Sequence, residues 1–330
     1  MPVRLVMLGL SHSHSHGNAR AAAMVDQVEL AGVWDADSQL ARRRCAEWAD
    51  YHPNLAIFGS LDEALSADRI DGVIVDGQVP ENLSLALAAV EHRKHVLLEK
   101  PAGLAMEPFV ELHRMASERQ LRVQMGYIMR YNAGFELIRR LRDAGALGDI
   151  VSIRGRISWE RASYDHHMPQ IGRLPGGMLF ELGCHYLDLI LALLGRPETA
   201  TGFFGRHHDP ARRYTDNALA VLRYDRAFAT IETCAMESGA LQNRSFEVYG
   251  TTGTVVIQPL EPPEVMLHLD QPWEQYRQGW QSAPINPLPR HIRDLCEFAD
   301  CIRGRKEPDF APGHDLAVQE TLLEMCDADH

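Results

Sequence analysis

Residues 4–35, RLVMLGLSHSHSHGNARAAAMVDQVELAGVWD, decide the fold. An apolar, β-rich run over 4–8 stops at Gly9, an alanine-rich helical stretch follows, and a second strand over 28–34 closes on Asp35. Strand, glycine turn, helix and acid-terminated strand make up the opening unit of a parallel sheet that seats a dinucleotide over a helix N-terminus. Against G-x-G-x-x-G the loop reads Gly9-Leu10-Ser11-His12-Ser13-His14, so the first glycine is kept and the other two are lost. Ser11 is small enough for close backbone approach, and a ring N–H of His12 or His14 would replace donors lost with the glycines. Asp35 sits where a carboxylate accepts from a ribose diol and repels a 2′-phosphate, so NAD is expected over NADP.

The same alternation continues outward. Strands are expected over 72–75, 95–98 and 122–127, with helices over 38–48, 81–92 and 107–118, a doubly wound half. After residue 127 the texture changes to a helix over 135–143, a strand over 150–159, a polar loop and an apolar helix over 179–194. Strands over 218–224, 227–234, 245–249 and 254–257 and helices over 292–302 and 315–325 complete the chain. The expectation is an α/β Rossmann domain over 1–127. An α+β domain with an open, largely antiparallel sheet follows over 128–330, for substrate binding and oligomerisation.

Composition narrows the partners. The chain has 330 residues and a formal charge of −12, which repels phosphate backbones and anionic lipid and disfavours nucleic acid and membrane as partners. The N-terminal apolar run is short for a membrane span and lacks a signal-peptide cleavage pattern, so a cytoplasmic protein is expected. Six cysteines without CxxC spacing fit reduced thiols.

Four segments occur in one order: IDGVIVDG (70–77), ALAAVEHRKHVLLEKP (86–101), MGYIMRYNAGFELIRRLRDAGALGDIVSIRGR (125–156) and GGMLFELGCHYLDLILALLG (176–195). This order resembles the Gfo/Idh/MocA oxidoreductases, nicotinamide-dependent sugar and polyol dehydrogenases, over nearly the whole chain. The resemblance implies hydride transfer between a nicotinamide and a hydroxyl-bearing carbon of a sugar, polyol or related small molecule. It places Lys100 of Glu99-Lys100-Pro101, His185 and Glu181 at the reacting carbon, and Glu99 and Gly77 beside the cofactor. Arg130, Tyr131, His166, His167 and Asp188 are implied on the substrate side. It also implies a homodimer or homotetramer.

The spacing of Glu181, His185 and Asp188 places them on one helical face, and a histidine beside a carboxylate can move a proton on or off a hydroxyl. Departures from the family pattern are Glu181 for an aspartate, Gly77-Gln78 for a usual Thr-Pro, and Asn82 where a histidine is common.

Two other readings stay open. One is non-redox glycoside or elimination chemistry through a transient oxidation, and the other a cofactor-poor binding protein of the same fold. His12, His14 and His16 at alternate positions also resemble the start of a metal-dependent barrel hydrolase site. Such a site needs ligands from later barrel strands, which this chain's strand order does not supply, so no metal is assigned from sequence.

Overall fold

The computed structural model describes residues 1–160, 170–207 and 215–327. Two compact units divide the chain: Met1–Ile128 with Leu288–Leu316, and Met129–Pro287 with Ala317–His330.

The first unit alternates β1 Val3–Leu8, α1 His14–Ala22, β2 Val28–Trp34, α2 Ser38–Glu47, β3 Ala56–Ile57, α3 Leu61–Ser66, β4 Gly72–Val75, α4 Val79–Glu91, β5 His95–Leu98, α5 Met106–Glu118 and β6 Val123–Met125. All strands are parallel, in the order β3-β2-β1-β4-β5-β6. Every residue of β4 is buried, as helices on both faces require of a central parallel strand. The order reverses between β1 and β4, so the switch point where such sheets bind ligands lies outside Leu8 and Val75.

The second domain expected from sequence takes in everything after 127, yet α9 Ile292–Ile302 belongs to the first unit. Leu295, Phe298 and Ala299 pack with Ala19, Ala21 and Ala22 of α1 and with Val28 and Leu30 of β2. The apolar side of α1 is alanine, which is too small to fill that space alone.

His95, at the start of β5, accepts the backbone N–H of Arg122 at Nδ1, 2.9 Å. Burial is the main cause that pushes the imidazole down to about 4. An unfolded chain takes up the proton near 6.5, so this site stabilises fully above that pH and its contribution is lost as pH falls towards 4. The expected loss is about 2–3 kcal/mol between neutral pH and pH about 4.5. Urea unfolding at both values should show it, and His95→Asn, which keeps an acceptor, should flatten the dependence; an equally steep loss in that variant would assign it elsewhere.

The second unit begins with α6 Ala133–Asp143 and β7 Ile150–Arg156, then a π-helical turn Leu179–Gly183 that runs into α7 Cys184–Leu194. There follow β8 Thr199–Gly205, β9 Asn217–Arg223, β10 Phe228–Cys234, α8 Ala240–Asn243, β11 Ser245–Gly250, β12 Gly253–Leu260, β13 Pro263–Leu269 and β14 Gly279–Ala283. The last helix, α10 Pro312–Cys326, starts in the first unit and ends in the second.

The eight strands run β14-β13-β12-β11-β7-β10-β9-β8, antiparallel except for β7 with β10. One face is buried, with Phe135 of α6, Tyr186 of α7 and Phe246 of β11 in edge-to-face contact. Gly155 of β7 leaves room for this: a Cβ there would lie 2.4 Å from the Tyr186 ring. The other face exposes Phe203, Leu219, Phe228, Met266 and Trp280.

Candidate functional site

Gly9 leaves β1 at φ +74, and a Cβ on it would lie 2.6 Å from Cα of Gly77. Only glycine satisfies both the left-handed turn and that approach, which ties the first loop to the loop after β4. Leu10 N–H donates to Asp35 Oδ2 (2.7 Å) and Asp37 N–H to Oδ1 (2.8 Å), so Asp35 is held by backbone at the end of β2. The backbone N–H groups of Ser11 and Ser13 have no acceptor among the described residues. They are two donors at the start of α1, where an anion is favoured. Next to Gly77, the Asn82 side chain is fully buried and neither of its polar atoms has a partner among the described residues. Loop, free donors and carboxylate fit the phosphates and ribose of a dinucleotide.

Arg44 comes closer to this loop than its place in α2 suggests, since its Nε donates to the Leu10 carbonyl at 3.2 Å. The His tract divides. His16 accepts from Trp48 Nε1 at 2.9 Å and packs edge-on against that indole. His14 turns the other way, with Nδ1 3.0 Å from Glu99 Oε1, and His12 Nδ1 lies 3.6 Å from the same oxygen.

Glu99 and Lys100 follow β5 at the carboxyl edge of the sheet, both almost fully buried, with Lys100 Nζ 4.0 Å from Glu99 Oε1. Asp76 follows β4 on the same edge. It is fully buried, and its Oδ2 accepts from Asn18 Nδ2 at 2.9 Å. Burial first, then the Glu99 carboxylate, raises the Asp76 carboxyl to about 7, against smaller opposing effects of His12 and Asn18.

His291, just before α9, packs its ring 5.1 Å from that of His14. Burial, and then the neighbouring His14, holds it well below the usual imidazole range and hence neutral. Asp76, Asn18 and His291 escaped the sequence reading. Asp76 alone left a signal, a carboxylate directly after four apolar strand residues.

In the second unit Glu181 lies in the π-helical turn, while His185 and Asp188 lie in α7, all three buried. The π turn makes the helix irregular between Glu181 and His185, where one regular face was expected. Arg130, in the 3-10 turn Ile128–Tyr131, grips Asp188 through Nε (3.1 and 3.0 Å) and Nη2 (2.6 Å). Arg130 is 2% and Asp188 0% exposed. Arg130 and Asp188, both expected on the substrate side, pair with each other. Tyr131, which ends the same turn, is half-buried. His166 and His167 lie outside the described residues.

The parallel sheet, glycine turn and acid-terminated second strand define a fold of the dinucleotide-binding class. Residues 3–127 match the family model for oxidoreductases with an NAD-binding Rossmann fold, and residues 135–256 the Gfo/Idh/MocA C-terminal domain. The chain belongs to the Gfo/Idh/MocA oxidoreductase family.

It is similar to scyllo-inositol 2-dehydrogenase (NAD(+)) of Bacillus subtilis, 23% identical over 74% of this chain and 71% of that one. It is 27% identical to 2,7-anhydro-N-acetylneuraminate hydratase of Escherichia coli over 60% of this chain and 57% of the other. Its fold matches UDP-N-acetylglucosamine 3-dehydrogenase from Acidithiobacillus ferrooxidans with a TM-score of 0.81 at 19% identity, over 98% and 96% of the two chains. No helix among the described residues is long and apolar enough to cross a membrane.

Proposed function

We propose that the protein is an NAD-dependent dehydrogenase acting on a secondary hydroxyl of a sugar, polyol or related small molecule, with Lys100 and His185 as its proton-handling groups. The observation that carries this reading is Lys100, a lysine 1% exposed at the ligand-binding edge of the sheet with its ammonium beside Glu99. Burying an ammonium is costly, and a lysine kept there supplies a donor to an oxygen whose proton is leaving. His185, with Glu181 nearby in the chain, takes that proton.

A bound nicotinamide would supply the hydride acceptor. Gly9, Ser11 and Ser13 would hold its pyrophosphate, Asp35 its ribose, and Gly77 and Glu99 would flank the ring. A homodimer or homotetramer formed through the outward sheet face would cover Phe203, Leu219 and Trp280. The test of function is reduction of NAD by a panel of polyols and hexoses with purified protein. Turnover of none of them, with no dinucleotide bound, would overturn the reading.

The E. coli relative's hydratase name favours a second reading, net elimination or hydration through transient oxidation. That outcome would appear as substrate conversion without accumulation of reduced cofactor.

Cofactor preference follows from Asp35. A 2′-phosphate would stand within a few ångströms of a carboxylate fixed by two backbone N–H groups. Like charges in a partly desolvated cleft cost about 1–3 kcal/mol, or roughly 5- to 150-fold in affinity. Arg44 offsets little of this, because its guanidinium already holds the Leu10 carbonyl and Glu47. NADH should therefore bind tighter than NADPH in a fluorescence titration, and Asp35→Ala should narrow the gap. Equal or tighter NADPH binding sinks the assignment.

A further inference from the structure

We propose that His12, His14 and Glu99 form a binding site for a divalent transition-metal ion of the zinc and iron(II) class, at the switch point of the parallel sheet. One ligand atom from each of the three residues falls within 4.8 Å of the others. Glu99 Oε1 stands 3.0 Å from His14 Nδ1 and 3.6 Å from His12 Nδ1. Metal–nitrogen and metal–oxygen bonds of about 2.0–2.2 Å place neighbouring ligand atoms roughly 3.0–3.5 Å apart, in octahedral or tetrahedral geometry. The two measured separations bracket that range; His12 Nδ1 also accepts the His14 backbone N–H at 3.3 Å, a contact that an ion bound at that atom would replace.

The backbone presents these groups rigidly. His12 N–H donates to the Asp76 carbonyl (3.0 Å), which ties the loop after β1 to the loop after β4. Ser15 Oγ donates to the carbonyls of His12 (2.8 Å) and Leu10 (3.3 Å). His14 opens α1, and Glu99 directly follows β5. His291 packs edge-on against the His14 ring. Its own ring occupies space that any side chain at position 17 would take, since a Cβ on Gly17 would lie 2.5 Å from His291 Nε2. The glycine that follows the His tract is therefore explained by the site, as the seat of the residue that orients His14.

A second observation points to a cation. Asp76 is fully buried, Asn18 holds its Oδ2, and no donor among the described residues reaches its Oδ1. Asn18, Asp76, Glu99 and His291 line one narrow cleft. Asp76 and Glu99 are two buried acids within hydrogen-bonding reach of each other, and a cation in the cleft they share would offset that crowding of negative charge. Two imidazoles and a carboxylate suit zinc, iron(II), cobalt(II) or manganese(II). Calcium and magnesium, which take oxygen ligands, suit the set poorly. The three histidines at alternate positions are not the ligand set, because His16 is engaged with Trp48 on the other side of α1.

The test uses untagged full-length protein with no dinucleotide present, so its outcome is separate from that of the dehydrogenase reading. Elemental analysis of the purified protein, and calorimetric titration of chelator-stripped protein with zinc and cobalt(II), should give one equivalent per chain. Cobalt should develop visible d–d absorption, and magnesium should not bind at that site. His14→Asn and Glu99→Gln should each weaken binding at least about 100-fold, while His16→Ala leaves it within a few fold. Thermal melts of the stripped variants establish that they fold. Absence of a stoichiometric metal in both experiments, or affinity unchanged in folded His14→Asn and Glu99→Gln, would overturn the site, as would an equal loss in His16→Ala.

Discussion

Replacing Asp188 by alanine is expected to lower the unfolding free energy by about 3–5 kcal/mol, the effect of removing one partner of a fully buried ion pair. Arg130 reaches both carboxylate oxygens, and neither residue has appreciable access to water. The alanine variant would leave a guanidinium dehydrated and short of its main acceptor. Arg130→Ala should cost a comparable amount by taking the guanidinium away from a buried carboxylate. Replacing both together, Arg130→Met with Asp188→Leu, should recover much of the loss, because an apolar pair of similar volume avoids the desolvation of two charges. Denaturant unfolding of the four proteins checks this. If the double variant is as unstable as the sum of the single ones, the pair contributes through packing rather than charge. A residue expected at the substrate would instead change turnover with little effect on stability, so the same four proteins separate the two roles.

What was legible in the sequence follows from how local each signal is. Strands β4 and β5 are continuous apolar runs flanked by helical patterns, and their observed bounds coincide with the expected ones. Strand β3 has two residues, both exposed, so no periodicity could mark it. Among the later strands, β8 holds Gly202 and Gly205, β13 opens on Pro263, and β14 is a five-residue edge strand. Each lacks the unbroken β-branched run that made its neighbours visible.

The His tract divides for a geometric reason. Alternation of period 2 suggests one shared side, but α1 starts at His14, and two helical residues turn the chain by about 200°. His14 and His16 therefore point to opposite sides, one to Glu99 and the other to Trp48. The rest of that cluster comes from residues far apart in the chain, at 18, 76, 99 and 291. No window of sequence brings these together; only the parallel sheet and the returning helix α9 do.

Lys100→Met and His185→Ala are each expected to lower kcat by about 10²-fold or more, with the dinucleotide dissociation constant changed by no more than a few fold. Oxidation of an alcohol removes a hydride from carbon and a proton from its oxygen, so a group that stabilises the leaving proton's oxygen acts mainly in the transition state. Methionine keeps the length and most of the volume of Lys100 while removing its three donors. A fall in kcat therefore reports lost chemistry rather than a cavity at a position that is 1% exposed. His185 is equally enclosed, and its alanine variant should be accompanied by His185→Asn, which keeps polarity but cannot carry a proton at neutral pH. If both asparagine and alanine abolish turnover while the folded proteins still bind NADH, proton transfer at position 185 is the function lost. The double variant Lys100→Met with His185→Ala adds the decisive comparison. Two residues acting on one chemical step lose far less together than the product of their separate losses, whereas independent residues multiply. A double variant near the level of the worse single one places both on the step that moves the proton. A fully multiplicative loss, or normal turnover in either single variant, removes that pairing from the mechanism.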